Sequence, residues 1–445
     1  MKLINLLLIL FFASNILCFE LTQQFANQKP KTKFTNDIDY IVQPDFELSD
    51  VLSWVHNEPY AIFKRVNFLD HDYVVGSTSI NPPPTAMFFE IKGSGNPLWE
   101  LGSKPEPMTT VLTDAIGSIN SQALGVSVNV QSFKQGVVPN LTLSKYTANT
   151  TDQAPPPDWE YTVTDAVIWD YDSVRISIEG EYLIWFITKV DGTNLFHAEI
   201  YTFHADTGVL INKFAAPSGT SAIDCEISHD GTIALFNDRE QIFVVHAHTG
   251  EILWTDQLNP ADNYPAALSG DGGLIAYGFE ELHIIANNGN NYTELWSING
   301  NYQKYCAAVA ISQDESKIFA AWTNSQLNQK WIEVYSKESS TPLFNYTFPQ
   351  KPGKFQDLPY VCKITYDGHY AMVGSWGQDG GIVPTIALFD LETQSLLYNY
   401  TTPGSVFAAD IIEDGDSLYF SVGTKSVHAN TMGYGGSVFT FDYPI

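Results

Sequence analysis

An all-β fold, a β-propeller of four-stranded blades, is predicted by three features of the sequence. The first is a tight turn of the Asp-Gly type that recurs after short apolar runs. The second is a segment after each turn that reads as strand, polar turn and strand, for example QIFVVHAHTGEILWTDQL at residues 241–258. The third is that the two features alternate in the same order, as one continuous repeat, as far as the last residue. Four short strands in a period of about 40–50 residues are typical of a propeller blade.

The Asp-Gly turns define the repeat. Asp hydrogen-bonds its own backbone and Gly takes a positive φ, so the pair indicates a hairpin. The turns are SIEG (177–180), SHDG (228–231), SGDG (269–272), SQDE (312–315), YDG (366–368) and EDG (413–415), with weaker copies at FLDH (68–71) and SINS (118–121). Successive turns lie about 49 residues apart. The count predicts eight blades; seven is the alternative, because the first two copies are degenerate.

The C-terminus predicts how the ring closes. The last repeat ends at SVFTFDYPI, which matches a third strand and lacks a fourth. Propellers commonly borrow the missing strand from the N-terminus, which removes an open sheet edge. We therefore expect residues 19–53 to supply the closing strand and residues 54–445 to form the propeller. FELTQQF (19–25) and IDYIVQPDF (38–46) are the candidate strands.

The first 18 residues read as a secretory signal peptide, with Lys2 before an apolar run that is too short to span a membrane. Five N-glycosylation sequons support export. They begin at Asn140, Asn149, Asn291, Asn345 and Asn399. We therefore expect a glycoprotein that is secreted, extracellular, or held in the lumen of the endomembrane–lysosomal system. No later apolar stretch is long enough for a membrane span, so the mature chain is expected to be soluble.

The net charge limits the classes of partner that the chain can bind. The formal net charge is −28, although charged residues make up 16% of the chain, so Lys and Arg are scarce. This argues against nucleic acid and anionic membranes and leaves a protein or a glycan as the expected partner.

Cleavage of the signal peptide would leave three cysteines in the chain, Cys225, Cys306 and Cys362. Cys306 and Cys362 fall on the inner strands of adjacent blades; a disulfide between them and buried free thiols are both open.

The segment around Thr249 resembles a known repeat. Thr249-Gly250 followed by Trp254 matches the second half of A-x-D-x-x-T-G-x-x-x-W, the tryptophan-docking repeat of PQQ-like, quinoprotein-type propellers. Partial matches occur at Thr207-Gly208 and at Asp390 with Thr393. The SxDG turns also resemble WD40-like and YVTN-type repeats. The resemblance implies a propeller with Trp254 docked between blades. Quinoprotein enzymes also need a calcium site and a catalytic Asp, and no segment matches these, so neither a catalytic residue nor a cofactor is expected.

The pair His246 and His248 raises the question of a metal. Residues two apart in a strand share a face, so both imidazoles can approach one ion. However, other repeats carry acidic residues at these strand-end positions, where a side chain can accept hydrogen bonds from the turn backbone. Zinc would also need a third ligand. We therefore interpret the histidines as structural, interpret the acidic turns as turn chemistry, and expect no metal site.

The loops suggest where a partner binds. The long connections join the second and third strands of a blade, at residues 79–86, 190–197, 323–330, 377–384 and 423–437. In a propeller these loops share a face with the connections between blades, and long loops often carry function. Trp376, Asp379, His428 and Tyr434 are expected to border that face from blades 7 and 8. Tolerated insertions are the alternative interpretation of these loops.

Three function classes follow. The first is a secreted or lumenal scaffold that binds a protein or glycan through one face of the disc. The second is an enzyme, a divergent quinoprotein-like oxidoreductase or a hydrolase, with its site at the channel mouth. A cluster of carboxylates and arginines converging on the axis would favour the enzyme. The third is a purely structural extracellular component.

Overall fold

The computed structural model describes most of the chain from Asp50 onward. The described residues are 50–58, 61–79, 86–101, 109–132, 140–148, 154–168, 173–190, 196–217, 221–238, 240–259, 265–289, 291–300, 304–324, 327, 329–349, 357–377, 384–428 and 435–445. The predicted signal peptide and both candidate closing strands lie outside them. The described residues form strands and connecting turns, and they include no helix that is long and apolar enough to cross a membrane.

The strands form eight four-stranded antiparallel blades around a ring, which confirms the predicted fold class. The first strand in the chain is β1 (Leu52–Glu58). Blade 1 holds β2 (Ile62–Leu69), β3 (Tyr73–Ser79), β4 (Ala86–Glu90) and β5 (Trp99–Leu101). Blade 2 holds β6 (Thr109–Gly117), β7 (Ala123–Ser132), β8 (Asn140–Thr147) and β9 (Trp159–Thr164).

In blade 3, β10 (Ala166–Val167) and β11 (Val174–Ile176) share the innermost position beside β12 (Tyr182–Val190), followed by β13 (Phe196–His204) and β14 (Val209–Ala215). Blade 4 holds β15 (Asp224–Ile227), β16 (Ile233–Asn237), β17 (Gln241–His246) and β18 (Ile252–Gln257). Blade 5 holds β19 (Ala266–Leu268), β20 (Leu274–Gly278), β21 (Glu281–Asn287) and β22 (Tyr292–Asn299).

Blade 6 holds β23 (Lys304–Ile311), β24 (Ile318–Asn324), β25 (Gln329–Ser336) and β26 (Ser339–Thr347). Blade 7 holds β27 (Pro359–Ile364), β28 (Tyr370–Ser375), β29 (Ile386–Asp390) and β30 (Ser395–Tyr400). Blade 8 holds β31 (Val406–Asp414), β32 (Ser417–Lys425) and β33 (Gly436–Pro444). Its fourth strand is β1, which pairs antiparallel with β33.

An N-terminal strand thus closes the ring as predicted, but the predicted segment needs correction. The strand is Leu52–Glu58, so a boundary between residues 53 and 54 cuts through it. β1 reads LSWVHNE and buries Trp54 while most of its other side chains stay partly exposed, because an outermost strand has little apolar surface to cover.

The apolar core lies between blades. Each cluster combines side chains from two neighbouring blades: Phe186 of blade 3 packs with Phe236 of blade 4, and Trp322 of blade 6 packs with Leu282 of blade 5. A blade alone would leave both faces in water, so the stack of blades is the stable unit. The core therefore supports the innermost strands from both sides.

The repeated turns carry one hydrogen-bond pattern. In blade 4, Ser228 Oγ donates to Asp230 Oδ1 (2.7 Å) and accepts from Ile233 N (2.9 Å). Asp230 Oδ1 also accepts from Thr232 N (2.9 Å), and Gly231 takes a φ of 74°. The turns at Ser269, Ser312 and Thr365 repeat this pattern. Burial opposes ionisation of Asp230, but these hydrogen bonds lower its pKa. The acidic turns are therefore turn chemistry, as predicted.

The turn between the third and fourth strands of blade 7 contains a strained residue. Gln394 has a φ of 56°, whereas blades 3 and 4 place Gly208 (67°) and Gly250 (74°) at the corresponding turn position. A left-handed conformation costs a non-glycine residue about 1–2 kcal/mol. Glycine avoids this cost, but part of the gain in stability is lost because glycine also has more conformational entropy in the unfolded chain. We expect Gln394→Gly to raise the free energy of unfolding by about 0.5–1 kcal/mol in urea denaturation. Gln394→Ala keeps the strain and is the control; equal stabilisation by both would contradict this explanation.

Tryptophans on outermost strands dock onto the next blade. Each indole N–H donates to the backbone carbonyl that follows the third strand of that blade. The pairs are Trp54 to Ile91, Trp159 to Ala205 and Trp296 to Lys337, at 2.8, 2.6 and 2.9 Å. Asn212 takes this role in blade 3 and donates to Ala247 O (3.3 Å). Trp254 also contacts the next blade, where its ring lies 5.7 Å from that of Tyr277.

The sequence left a disulfide between Cys306 and Cys362 and buried free thiols both open, and the structure has the thiols. Cys225, Cys306 and Cys362 are buried, and none of them forms a disulfide with another described residue. Cys306 packs in the core between blades 5 and 6, whereas Cys362 packs in the core between blades 6 and 7. Both side chains point toward the preceding blade, so blade 6 separates them. Burial raises the pKa of each thiol, which keeps these cysteines protonated and unreactive.

Four of the five sequon asparagines are described and exposed: Asn140, Asn291, Asn345 and Asn399. Asn149 lies outside the described residues. Asn345 and Asn399 occupy the same register position of the outermost strands of blades 6 and 7, opposite Glu333 and Ala387. Glycans at these two positions would project from the outer rim and leave both flat faces accessible.

Candidate binding site at the mouth of the central channel

The innermost strands enclose a channel with a volume of about 980 Å³. One layer of its wall comes from equivalent positions of the eight innermost strands, shortly before the turn that ends each strand. In blade order these residues are Asn67, Ile116, Arg175, Glu226, Ala267, Ala310, Lys363 and Asp410. Equivalent positions thus hold charged, polar and apolar side chains. The repeat fixes their place, and their chemistry differs from blade to blade.

A β-bulge recurs in the innermost strands of four consecutive blades. The register shifts between Cys306 and Ala308 in blade 6, and at the same point in blades 7, 8 and 1. The extra residues are Ala307, Tyr360, Phe407 and Lys64, and all four line the channel. Bulges are frequent next to functional sites because they re-aim side chains. Here they bring two rings and one cation to the same end of the channel.

Aromatic rings and lysines cluster at this end, which we call the mouth. The rings of Tyr360, Trp376 and Phe407 lie 5.2–5.8 Å apart. Lys64 Nζ lies 3.8 Å from the centroid of the Phe407 ring. Lys425 Nζ lies 5.4 Å from the Trp376 ring and 5.7 Å from that of Phe407. Tyr360 is 40% exposed, so solvent reaches the cluster.

Two of the four binding residues predicted from the sequence come together at the mouth. Trp376 lines the channel, and His428 Nδ1 lies 3.3 Å from the carbonyl oxygen of Trp376. His428 is buried and supports the loop of Trp376, and its burial lowers its pKa. Asp379 and Tyr434 lie outside the described residues. The prediction that these residues bind a partner remains a prediction.

The opposite end of the channel is narrowed by turns. The ring of His229 in blade 4 stacks on that of Tyr366 in blade 7, with centroids 5.4 Å apart. Gln313 N donates to Tyr366 O (2.9 Å), and His229 N donates to Gly270 O (2.7 Å). These contacts join the turns of four blades around the axis.

A belt of charged side chains crosses the inner wall from blade 1 to blade 4. Arg175 donates to both oxygens of Glu226 (3.0 and 3.1 Å) and to Asp224 Oδ1 (3.2 Å). Burial opposes the positive charge of Arg175, but these carboxylates raise its pKa. Burial and the adjacent Glu226 raise the pKa of Asp224 to about 6, against the effect of Arg175.

The belt continues into blades 1 and 2. Asp114 Oδ2 accepts from Ser173 N (2.7 Å) and Val174 N (2.9 Å), and Asp114 Oδ1 lies 3.5 Å from Arg65 Nε. Arg65 also donates to Val174 O (2.9 Å). This is the convergence of arginines and carboxylates that would favour an enzyme. Its members bond one another and the backbone, so they join neighbouring inner strands.

The histidine pair lies at a strand end, as interpreted from the repeat. His248 N lies 3.3 Å from His246 Nδ1, and Asp390 Oδ1 accepts two turn amides in blade 7 at 2.8 Å. The ring of His248 packs on Tyr182, with centroids 4.5 Å apart. Within the described ranges, no group of three or more His, Cys, Asp or Glu side chains is arranged to hold a metal ion.

Sequence reasoning missed Lys64, Tyr360, Phe407 and Lys425. Each of the first three stands three residues before a member of the wall layer, Asn67, Lys363 or Asp410, where plain strand alternation would turn it away from the channel. The bulge reverses that direction. An alignment of the inner strands on their turns would have shown a large or charged side chain at this position in three consecutive blades. That is the signal available in the sequence.

Comparison with known proteins supports the fold. No protein-family model matches the chain, and no curated protein sequence matches it. The structure is similar to that of Saccharomyces cerevisiae Sqt1, with a TM-score of 0.61 and 9% identity over 89% of this chain and 99% of that one. It is also similar to the C-terminal WD40 domain of Sif2, with a TM-score of 0.52 and 14% identity over 87% and 98% of the chains. Both are WD40 β-propeller proteins. The chain therefore shares the β-propeller fold of these structures, and the PQQ-like subtype stays a prediction.

Proposed function

We propose that this chain is a binding scaffold that holds a protein partner at the channel mouth. The observation that carries the proposal is the set of β-bulges that places Tyr360, Phe407 and Lys64 side by side with Trp376. Aromatic side chains supply large, rigid contact area and dominate many protein interfaces. WD40-type propeller neighbours are consistent with an interaction role.

We further propose that the chain works in the secretory route or outside the cell, as a glycoprotein. The signal-peptide pattern and the sequons support this localisation. The exposure of four sequon asparagines is compatible with glycosylation, since a glycan needs a surface position. A glycan coat on the outer rim would leave the mouth open to a partner.

An oxidoreductase of the quinoprotein kind or a hydrolase is the second candidate function. The belt around Arg175 is the observation that favours it. Scaffold binding is preferred, because the belt side chains bond neighbouring strands whereas the mouth presents accessible rings.

The proposal is tested by co-purification from the secretory fluid of the source cell. Tyr360→Ala combined with Phe407→Ala removes two mouth rings, and we expect it to lose the proteins that the wild-type chain retains. Tyr366→Ala is the matched control, because Tyr366 is 60% exposed at the opposite end of the channel. Quantitative mass spectrometry compares the three samples. Equal retention of every protein by all three would overturn the proposed function.

A further inference from the structure

We propose that the channel contains a second binding site, deeper than the mouth, for a small zwitterion of the α-amino acid class. The site lies in the wall layer described above, where blades 7, 8 and 1 contribute Lys363, Asp410 and Asn67. Each of the three lies three positions after a mouth residue of the same strand, which is about 10 Å further into the channel. The inference goes beyond the proposed function, because the ligand is a small molecule inside the channel.

Lys363 supplies a positive charge for a carboxylate. Its side chain lines the channel, is partly exposed, and forms no ion pair or hydrogen bond with another described residue. Burial opposes the ionisation of Glu226, but Arg175 and, more weakly, Lys363 lower the pKa of Glu226. Glu226 is already held by two hydrogen bonds from Arg175 (3.0 and 3.1 Å). The ammonium group of Lys363 is therefore available for a charge-assisted hydrogen bond to a ligand.

Asp410, one blade further, supplies acceptors for an ammonium group. Its Oδ2 accepts from Phe68 N (2.9 Å), and its Oδ1 accepts from Ile411 N (3.1 Å). The bond to Phe68 holds the carboxylate beside Asn67, because the two residues are consecutive. Both donors are backbone amides, and Asp410 forms no ion pair with a described residue. Since each carboxylate oxygen can accept a second hydrogen bond, Asp410 can also bind a cationic group.

Asn67 independently indicates a polar ligand. Its side chain lines the channel and is 8% exposed. Its Oδ1 is enclosed and has no hydrogen-bond partner among the described residues. A buried acceptor without a partner is unfavourable, so a donor from a ligand would stabilise this side chain. An ammonium group has three N–H donors and can bond Asp410 and Asn67 together.

The other side of Lys363 fits an aliphatic group. There the layer continues with Ala310 in blade 6 and Ala267 in blade 5. Their small side chains leave room in a channel of about 980 Å³, and their methyl groups favour contact with an apolar ligand group. A carboxylate, an ammonium group and an aliphatic side chain together describe an amino acid such as leucine. A simple anion would leave Asp410 without a counter-charge, and a simple cation would meet the like charge of Lys363.

The test is isothermal titration calorimetry of the full chain with three matched compounds. L-Leucine carries both charges, L-leucinamide lacks the carboxylate, and N-acetyl-L-leucine lacks the ammonium group. We expect leucine to bind at least about tenfold more tightly than either analogue, because each analogue loses one charge-assisted contact.

Two variants assign each charge of the ligand to its partner. With Lys363→Met, leucine should lose about tenfold in affinity and bind like leucinamide. Asp410→Asn keeps an acceptor for Phe68 N, and it should make leucine bind like N-acetyl-leucine. Lys92→Met is the matched control, because Lys92 is exposed and lies outside the channel wall. It should leave all three affinities unchanged, and circular dichroism verifies that each variant is folded.

Every other result overturns the inference. If N-acetyl-leucine binds the wild-type chain as tightly as leucine, the channel holds an anion site; if leucinamide does, it holds a cation site. Leucine binding that neither variant weakens would lie elsewhere on the chain. Absence of leucine binding to the folded wild-type chain would refute the site. The scaffold function is judged separately, because the co-purification experiment depends on Tyr360 and Phe407 at the mouth.

Discussion

Replacing Arg175 by methionine is expected to lower the free energy of unfolding by about 3 kcal/mol, the low end of the cost of leaving buried charges without a partner. Arg175 is 7% exposed and bonds both Asp224 and Glu226 of the next blade. Methionine fills a similar volume but leaves two adjacent carboxylates to repel each other. The effect stays at the low end because these side chains keep 24% and 32% of their surface accessible. Chemical denaturation at neutral pH measures it.

Two further variants test the electrostatic explanation. Combining Arg175→Met with Asp224→Asn and Glu226→Gln removes all three charges, and we expect it to recover most of the lost stability. Lys363→Met is the positional control, since Lys363 occupies the equivalent channel position in blade 7. Its effect should be below about 1 kcal/mol, as for a partly exposed charge. If the triple variant were as unstable as the single one, packing rather than charge would explain the loss.

The belt also shows which features of the inner wall can be predicted from the sequence and which cannot. Asp-Gly turns and strand alternation place Arg175 and Glu226 on equivalent channel positions, because turn chemistry and the two-residue strand period act locally. Their mutual bonding depends on the distance between neighbouring blades, which no local pattern contains. The inner strands read as mostly apolar, and the few charged side chains become significant only when the ring brings them together.

The candidate site was predictable to a smaller degree. Trp376 was found because it begins a long loop on one face, and loop length is visible in the sequence. Tyr360 and Phe407 escaped detection because each is the extra residue of a bulge. A bulge is a property of the pairing between two strands, so one strand read by itself gives no sign of it. The choice between a disulfide and free thiols for Cys306 and Cys362 could not be made from the sequence for the same reason: the bulge at residues 306–308 alters which face Cys306 presents.

The second large effect on stability is expected at Trp54, in the strand β1 that closes the ring. Trp54 is 5% exposed, its indole N–H donates to Ile91 O of blade 1 (2.8 Å), and its ring lies 5.2 Å from that of Phe89. We expect Trp54→Ala to lower the free energy of unfolding by about 3–5 kcal/mol, because it opens a cavity at the joint between the last and first blades. Trp54→Phe keeps most of the ring volume and should cost about 1–2 kcal/mol, mainly for the unpaired carbonyl.

Local hydrogen exchange distinguishes closure from general destabilisation. If β1 completes blade 8, its loss of anchorage in Trp54→Ala should accelerate exchange of the amides that pair β1 with β33, while the β16–β17 pairing of blade 4 keeps its protection under native conditions. Trp159→Phe is the matched control, because Trp159 makes the same contact with Ala205 O inside the ring, away from the closure. It should cost about as much as Trp54→Phe without selective exchange in blade 8. Uniform acceleration across all blades in Trp54→Ala would mean that the ring unfolds as one unit. In that case β1 contributes to the global stability but does not detach from β33 independently.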